Sequence, residues 1–282
     1  MTLIVALFLI AQLAGLFTVN KHIEVFEEPE TGRVVVAHPD TVLGPPPEVE
    51  NKSSSFLLIG LLVLIGTLLL LLLIRYRVYR VWKVWFFIAV WATLSVAFGV
   101  FIDWTIAAVL AFGLAIWKLY RPNIIIYNFT EVFIYAGIVI LILPILNLFA
   151  AFGLLVLISL YDMYAVWHSK HMVRMAQFQT QTKVFAGLLV PYNKKGKGEE
   201  GGKRRGKKKA EKKEGRSAIL GGGDIAFPLL FSAAVMEHMI TAGGFSKAAA
   251  LGATGIISVA AAVALFLLLA KAEDKKFYPA MP

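Results

Sequence analysis

Cysteine is absent from the 282 residues. That excludes a disulfide framework, a thiolate nucleophile and any cysteine metal site. Charge is scarce as well: 16% of the residues are Asp, Glu, Lys or Arg, against about 25% in an ordinary soluble domain. Mean hydropathy is +0.73, and 59% of the chain is hydrophobic. The apolar residues gather in long blocks rather than alternating with polar ones. A soluble domain around a single core is thereby excluded, and an all-α polytopic membrane protein is expected.

Blocks near the 20 or so residues that a crossing helix needs predict spans at Thr2–Val19, Phe56–Ile74, Val84–Ile102, Trp104–Trp117, Phe129–Leu146 and Asn147–Trp167. Two more follow at Ile219–Ile240 and Ala248–Ala270, and a ninth begins near Phe277. The first block has no basic residues before it and no small-x-small cleavage site after it. It therefore reads as a retained span rather than a signal peptide. Three parts are expected: a six-helix part over 1–167 and a cytoplasmic loop over 168–216, followed by a C-terminal part over 217–282.

Loop charge gives the orientation, because Lys and Arg accumulate on the cytoplasmic side. Arg75, Arg77, Arg80 and Lys83 follow the second span, and Lys118 and Arg121 follow the fourth. The run Lys194–Arg216 holds twelve Lys or Arg against four Glu, net +8, and Lys271, Lys275 and Lys276 follow the eighth span. The first loop, Asn20–Ser55, carries seven acidic and three basic residues, net −4. An N-terminus in the cytoplasm, a C-terminus outside and a place in the cell membrane are expected. The basic run has no interleaved aromatics and lies between two spans, so it reads as a topogenic loop touching anionic lipid, not as a nucleic-acid site. Before it, Met172, Val173, Met175, Phe178 and Val184–Val190 form an expected interfacial stretch. His168 and His171 have the spacing of a metal pair but no third ligand, and read as interface residues.

Two aspartates stand where such a chain tolerates them poorly. Asp162 lies in LLVLISLYDMYAVW and Asp224 in AILGGGDIAFPLLFSAAV. An ionised carboxylate at the centre of a span costs at least roughly 2.5–3.5 kcal/mol on insertion scales. Asp162 precedes Lys170 by eight residues and Asp224 follows Arg216 by eight. At helical rise, each is about 12 Å in from a cytoplasmic charge. Spans six and seven run in opposite directions, so the two acids reach one level and can face each other.

Two close carboxylates cannot both ionise, and share a proton near neutral pH. The ionised partner can take a proton from water, and the protonated one can donate to a peptide carbonyl and then to the leaving nitrogen. That is peptide hydrolysis without metal, cofactor or covalent intermediate. Gly221, Gly222 and Gly223 directly precede Asp224 and allow another backbone to approach closely. Pro228, one turn on, frees a backbone group.

Tyr161-Asp162 matches a YD motif, Gly221-Gly222-Gly223-Asp224 matches GxGD, and Pro279-Ala280-Met281-Pro282 is similar to a PAL motif with Met in place of Leu. In this order the chain resembles the presenilin and signal peptide peptidase family of intramembrane aspartyl proteases, and its compactness points to a microbial, archaeal homologue. The resemblance implies a bundle of nine transmembrane helices and a catalytic dyad of Asp162 and Asp224. It implies that Tyr161, Gly221, Gly222, Gly223, Pro279, Ala280 and Met281 shape the substrate site, with Gly222 in the variable position of GxGD. It also implies no cofactor or metal, and transmembrane segments of membrane proteins as substrates within the lipid bilayer. An unwound substrate would pair as a strand beside the PAL segment. In the family the ninth helix continues beyond that motif; here the sequence stops at Pro282, so a truncated helix or a tail along a wet cavity is expected.

A proton- or cation-coupled transporter or leak channel is the alternative from another class, because paired acids also serve as relays. It predicts internal repeats with broken helices in both halves, and the sequence displays no such repeat. Asn128-Phe-Thr-Glu131 reads as a capping box opening the fifth span, or Glu131 is a third buried acid near the dyad. Glu237 and His238 read as residues of the outer interface.

Overall fold

The computed structural model describes residues 2–49, 51–76, 78–121, 123–167, 178, 186–191 and 217–271. The described part opens with helix α1 (Thr2–His22) and a hairpin of β1 (Glu24–Glu27) and β2 (Val34–Ala37), followed by α2 (Ser55–Tyr76), α3 (Tyr79–Gly99) and α4 (Trp104–Tyr120). Next come α5 (Ile124–Ile142), α6 (Leu148–Trp167), β3 (Gly187–Pro191) and β4 (Ser217–Gly221). Helices α7 (Gly223–Thr241) and α8 (Lys247–Lys271) complete it. The ninth span, Pro279–Met281, His168, His171 and the basic run lie outside the described residues.

Among the described residues, six helices are long and apolar enough to cross a membrane: α1, α2 with its preceding turn, α3, α5 with its following turn, α7 and α8. Helix α4 and, over its described side chains, α6 are apolar but shorter. Helix α5 is the axis of the bundle and packs against α1, α3, α4 and α7. Helix α2 touches mainly α6 and leaves a row of leucines, Leu57, Leu58, Leu61, Leu62, Leu68 and Leu69, on the outside. A helix that is apolar all round and stands at the rim suits a lipid surface.

Small residues bring the helices together, as expected where lipid removes the usual hydrophobic drive between them. Helix α8 buries Ala250, Thr254, Ser258 and Ala262 at four-residue spacing, and α4 buries Ala107, Ala111 and Ala115 in the same way. Gly137 of α5 lies so close to α3 that a Cβ there would stand 2.0 Å from the Thr93 carbonyl oxygen. Asp103 caps α4 by accepting from the Thr105 amide at 2.9 Å. That bond holds the exposed carboxyl below the usual carboxylate range.

Three expectations are corrected. The seventh span does not begin as helix at Ile219: residues 217–221 are strand β4, antiparallel to β3 with Gly187 opposite Gly221 and Leu189 opposite Ile219. Of the expected interfacial stretch, residues 187–190 are in that sheet instead, with Leu188 buried in the main core, while Met172, Val173, Met175, Val184 and Phe185 lie outside the described residues. Asn128 caps no helix: α5 starts a turn earlier, and Asn123 accepts from the Ile125 amide at 3.0 Å. Asn128 instead holds β3, and Glu131 is buried.

Candidate active site

Helices α6 and α7 pack side by side. Asp162 lies in the last turns of α6 and is buried, while Asp224 occupies the first turn of α7 and is half-buried. The chain enters α6 and leaves α7 at the far end, so the two acids share the near end of the bundle. They lie within electrostatic reach of one another. The rise that sets Asp224 at depth is not helical, however: β4 is extended, at about 3.3 Å per residue rather than 1.5. Among the described residues, Oδ2 of Asp162 is buried and accepts no hydrogen bond. An acceptor in that state has capacity left for a water or a substrate group.

The glycines before Asp224 differ from one another. A Cβ on Gly221 would stand 3.0 Å from Asp224 Oδ2, so this glycine lies directly against the carboxylate. A Cβ on Gly222 would meet the Tyr135 hydroxyl at 3.1 Å and the Ala186 carbonyl at 3.4 Å, and the Gly222 amide donates to that carbonyl at 3.2 Å. Gly223 is exposed, and a Cβ there would meet Phe227 at 3.5 Å, an ordinary contact. Gly221 and Gly222 therefore serve close approach, the first to the acid itself and the second to α5.

Tyr161 turns toward α2, where its hydroxyl donates to Thr67 Oγ1 at 3.1 Å. Pro228 sits inside α7. It has no N–H to give the Asp224 carbonyl four residues back, and its ring crowds that carbonyl. Just beyond, buried Gln12 of α1 donates from Nε2 to the Ile225 carbonyl at 2.8 Å. Sequence reasoning passed over Gln12, although an amide in the middle of an apolar span was a signal for a buried polar contact.

A second cluster lies on α4 and α5. Lys118, expected as a cytoplasmic loop charge, is buried and ion-paired with buried Glu131. Lys118 Nζ also donates to Thr130 Oγ1 at 3.1 Å and sits 4.0 Å over the Tyr127 ring. The Tyr135 hydroxyl donates to the other Glu131 oxygen. Breaking such a pair by removing one partner costs about 3–5 kcal/mol, whereas replacing both by apolar groups is often neutral. Glu237, read as an interface residue, meets His38 Nε2 at 3.0 Å, while His238 is exposed. Among the described residues no three His, Asp or Glu side chains converge to hold a metal.

The family described as signal-peptide peptidase, presenilin aspartyl protease matches residues 46–277. The match includes both aspartates and stops two residues before Pro279. No curated protein matches the chain. A solved presenilin family intramembrane aspartate protease is similar in fold, with a TM-score of 0.50 at 15% identity over 95% of this chain and 85% of its own. The chain belongs to the signal-peptide peptidase and presenilin family of aspartyl proteases, and is thus a multi-pass membrane protein and a hydrolase.

Proposed function

We propose that Asp162 and Asp224 are the catalytic dyad of an endopeptidase that cuts transmembrane segments of membrane proteins. The observation that supports this most is that Asp162 and Asp224 lie at the same end of two packed helices, within electrostatic reach of one another, in a chain of an aspartyl protease family. One carboxylate, ionised, takes a proton from water as the water oxygen adds to the scissile carbonyl carbon. The other, protonated, gives its proton to the carbonyl oxygen. The first then returns a proton to the amide nitrogen, the C–N bond breaks, and a hydroxyl proton of the diol restores the second.

Substrate presentation falls to the sheet. A peptide bond within a helix is shielded by its own ladder, so the segment must unwind before water can attack. Unwound backbone inside a membrane needs new partners. Strand β4 leads directly into Gly222 and Asp224, and among the described residues its one strand partner is β3. An extended substrate adding to the other edge of β4 would satisfy its amides and carbonyls and run past the dyad. Pro279, Ala280 and Met281 are proposed to border that strand, and exposed Gly223 to leave room for it. The charge bias of the loops supports a cytoplasmic N-terminus, an outer C-terminus and a site opening toward the cytoplasmic side of the cell membrane.

The test uses purified protein in detergent and a single-span reporter, with new termini read by mass spectrometry. Cleavage inside the span should disappear in Asp162→Asn and in Asp224→Asn. Persistent cleavage in either variant would remove that residue from the dyad. In detergent there is no gradient, so a transporter would yield no product at all.

A further inference from the structure

Lys118, Glu131 and Tyr135 form a buried chain that ends on the loop carrying Asp224. One Glu131 oxygen meets Lys118 Nζ and the other accepts the Tyr135 hydroxyl. Lys118 is 3% exposed, and Glu131 and Tyr135 are each 1% exposed. The same hydroxyl end of Tyr135 also faces the loop before Asp224. Its hydroxyl lies 3.1 Å and its Cε1 3.2 Å from the place of a Cβ on Gly222, and Asp224 is within its electrostatic reach.

The cluster is neutral as a whole, so it brings little net field to the dyad. What it transmits is geometry. A phenol has one hydrogen to give, and here Glu131 takes it. Glu131 is in turn held by Lys118, and Lys118 by Thr130 and the Tyr127 face. Gly222 is gripped between the Tyr135 ring and the Ala186 carbonyl, with no side chain of its own to keep them apart. A buried ion pair adds little stability over apolar residues of the same volume. Stability alone therefore gives no reason for three polar groups to be buried here.

We propose that Lys118, Glu131 and Tyr135 are positioning residues: the ion pair fixes the Tyr135 hydroxyl, and Tyr135 clamps Gly221–Gly223 so that Asp224 meets Asp162. The proposal rests on the dyad assignment made above. It places the support of one catalytic acid on α4 and α5, which carry neither aspartate.

Two variants test it. Tyr135→Phe keeps the ring and removes the hydroxyl. The double variant Lys118→Met with Glu131→Leu replaces the pair by apolar groups of similar length. The readouts are kcat and KM on the reporter, thermal unfolding, and hydrogen–deuterium exchange of the peptide containing Gly221–Ile225. Tyr135→Phe leaves one Glu131 oxygen, and the double variant the Tyr135 hydroxyl, buried without a partner, so each should unfold somewhat below the wild type. Both should exchange faster at that peptide and lose about 10- to 100-fold in kcat per folded molecule with KM little changed, as misplacement of a reacting group predicts. Joining Tyr135→Phe to the double variant should add no further loss, because the three residues act in series. Wild-type kcat with wild-type exchange in Tyr135→Phe overturns the proposal. A lowered unfolding temperature with normal kcat per folded molecule also overturns it, and makes the cluster a packing element. If Asp224→Asn still cleaves, the dyad assignment fails instead. The exchange result then still decides whether Tyr135 holds the loop, and unchanged exchange sinks that too.

Discussion

Asn128 grips the Leu189 peptide from one side: its Nδ2 donates to the Leu189 carbonyl at 2.8 Å, and its Oδ1 accepts from the Leu189 amide at 2.9 Å. A side-chain amide thus mimics a strand on the outer side of β3. The grip leaves β4 as the side on which a third strand can add. Asn128→Leu would leave both groups of the Leu189 peptide without a partner in apolar surroundings, at about 1–3 kcal/mol each. The expected result is a lower unfolding temperature and a raised KM for the reporter, since the sheet no longer presents a fixed edge. Asn128→Asp should be as damaging, because a carboxylate cannot donate to the Leu189 carbonyl. A wild-type KM in both variants would detach the sheet from substrate binding.

The three glycines before Asp224 should answer differently to alanine. Gly221→Ala places a methyl 3.0 Å from Asp224 Oδ2, so the carboxylate must turn away. Unfolding should change little, while kcat falls by about 100-fold, the cost of an ångström-scale displacement. Gly222→Ala presses on a buried, hydrogen-bonded Tyr135 and should lower both stability, by about 1–3 kcal/mol as for other overpacking, and kcat. Gly223→Ala meets only an ordinary contact and should unfold at the wild-type temperature. Equal unfolding temperatures for all three would contradict the packing around Gly222.

Much of this arrangement could be read from the sequence because a bilayer imposes lengths and charge signs. The spans at Thr2, Trp104 and Leu148 begin within a residue or two of where the apolar blocks placed them. Asp162 and Asp224 stood out because acids are costly in such blocks. Strands β3 and β4 were hidden for a physical reason: five largely apolar residues, Gly187–Pro191 or Ser217–Gly221, have the same composition whether they end a helix or form a strand. Their pairing also depends on a partner 30 residues away, Leu189 with Ile219. From the sequence, Lys118 reads as a loop charge, and Glu131 as a capping residue or a third buried acid. Only the fold of α4 against α5 joins them as one buried pair.

Close helix contacts give a prediction in stability alone. Gly137→Ala sets a Cβ 2.0 Å from the Thr93 carbonyl oxygen, and a backbone carbonyl cannot rotate away. Gly15→Ala sets one 2.4 Å from Leu229 Cδ2, the end of a side chain with other rotamers. Overpacking costs about 1–3 kcal/mol and more where nothing yields. Gly137→Ala should therefore lower the unfolding temperature further than Gly15→Ala. The reverse order, measured on both in one detergent, would show that α3 and α5 are not in backbone contact.

Gln12 offers the sharpest separation of anchoring from packing. It sits on α1, outside the residues 46–277 that match the family, yet it donates into the first turns of α7. Pro228 denies the Asp224 carbonyl its helical partner, so the helix's own ladder holds this turn less firmly than an unbroken one would. The bond from Gln12 Nε2 to the next carbonyl, that of Ile225, is an additional hold on the same turn, worth about 0.5–1.5 kcal/mol net. Gln12→Leu removes it, and also removes a buried Oε1 that has no partner among the described residues, so the two effects on stability largely offset. The unfolding temperature should then change little. The first turn of α7 nevertheless loses its anchor, and kcat should fall with KM held. Gln12→Glu sets a carboxylate oxygen against the Ile225 carbonyl oxygen and should lower both stability and kcat. Unchanged kcat in Gln12→Leu would mean that α7 holds Asp224 without help from α1.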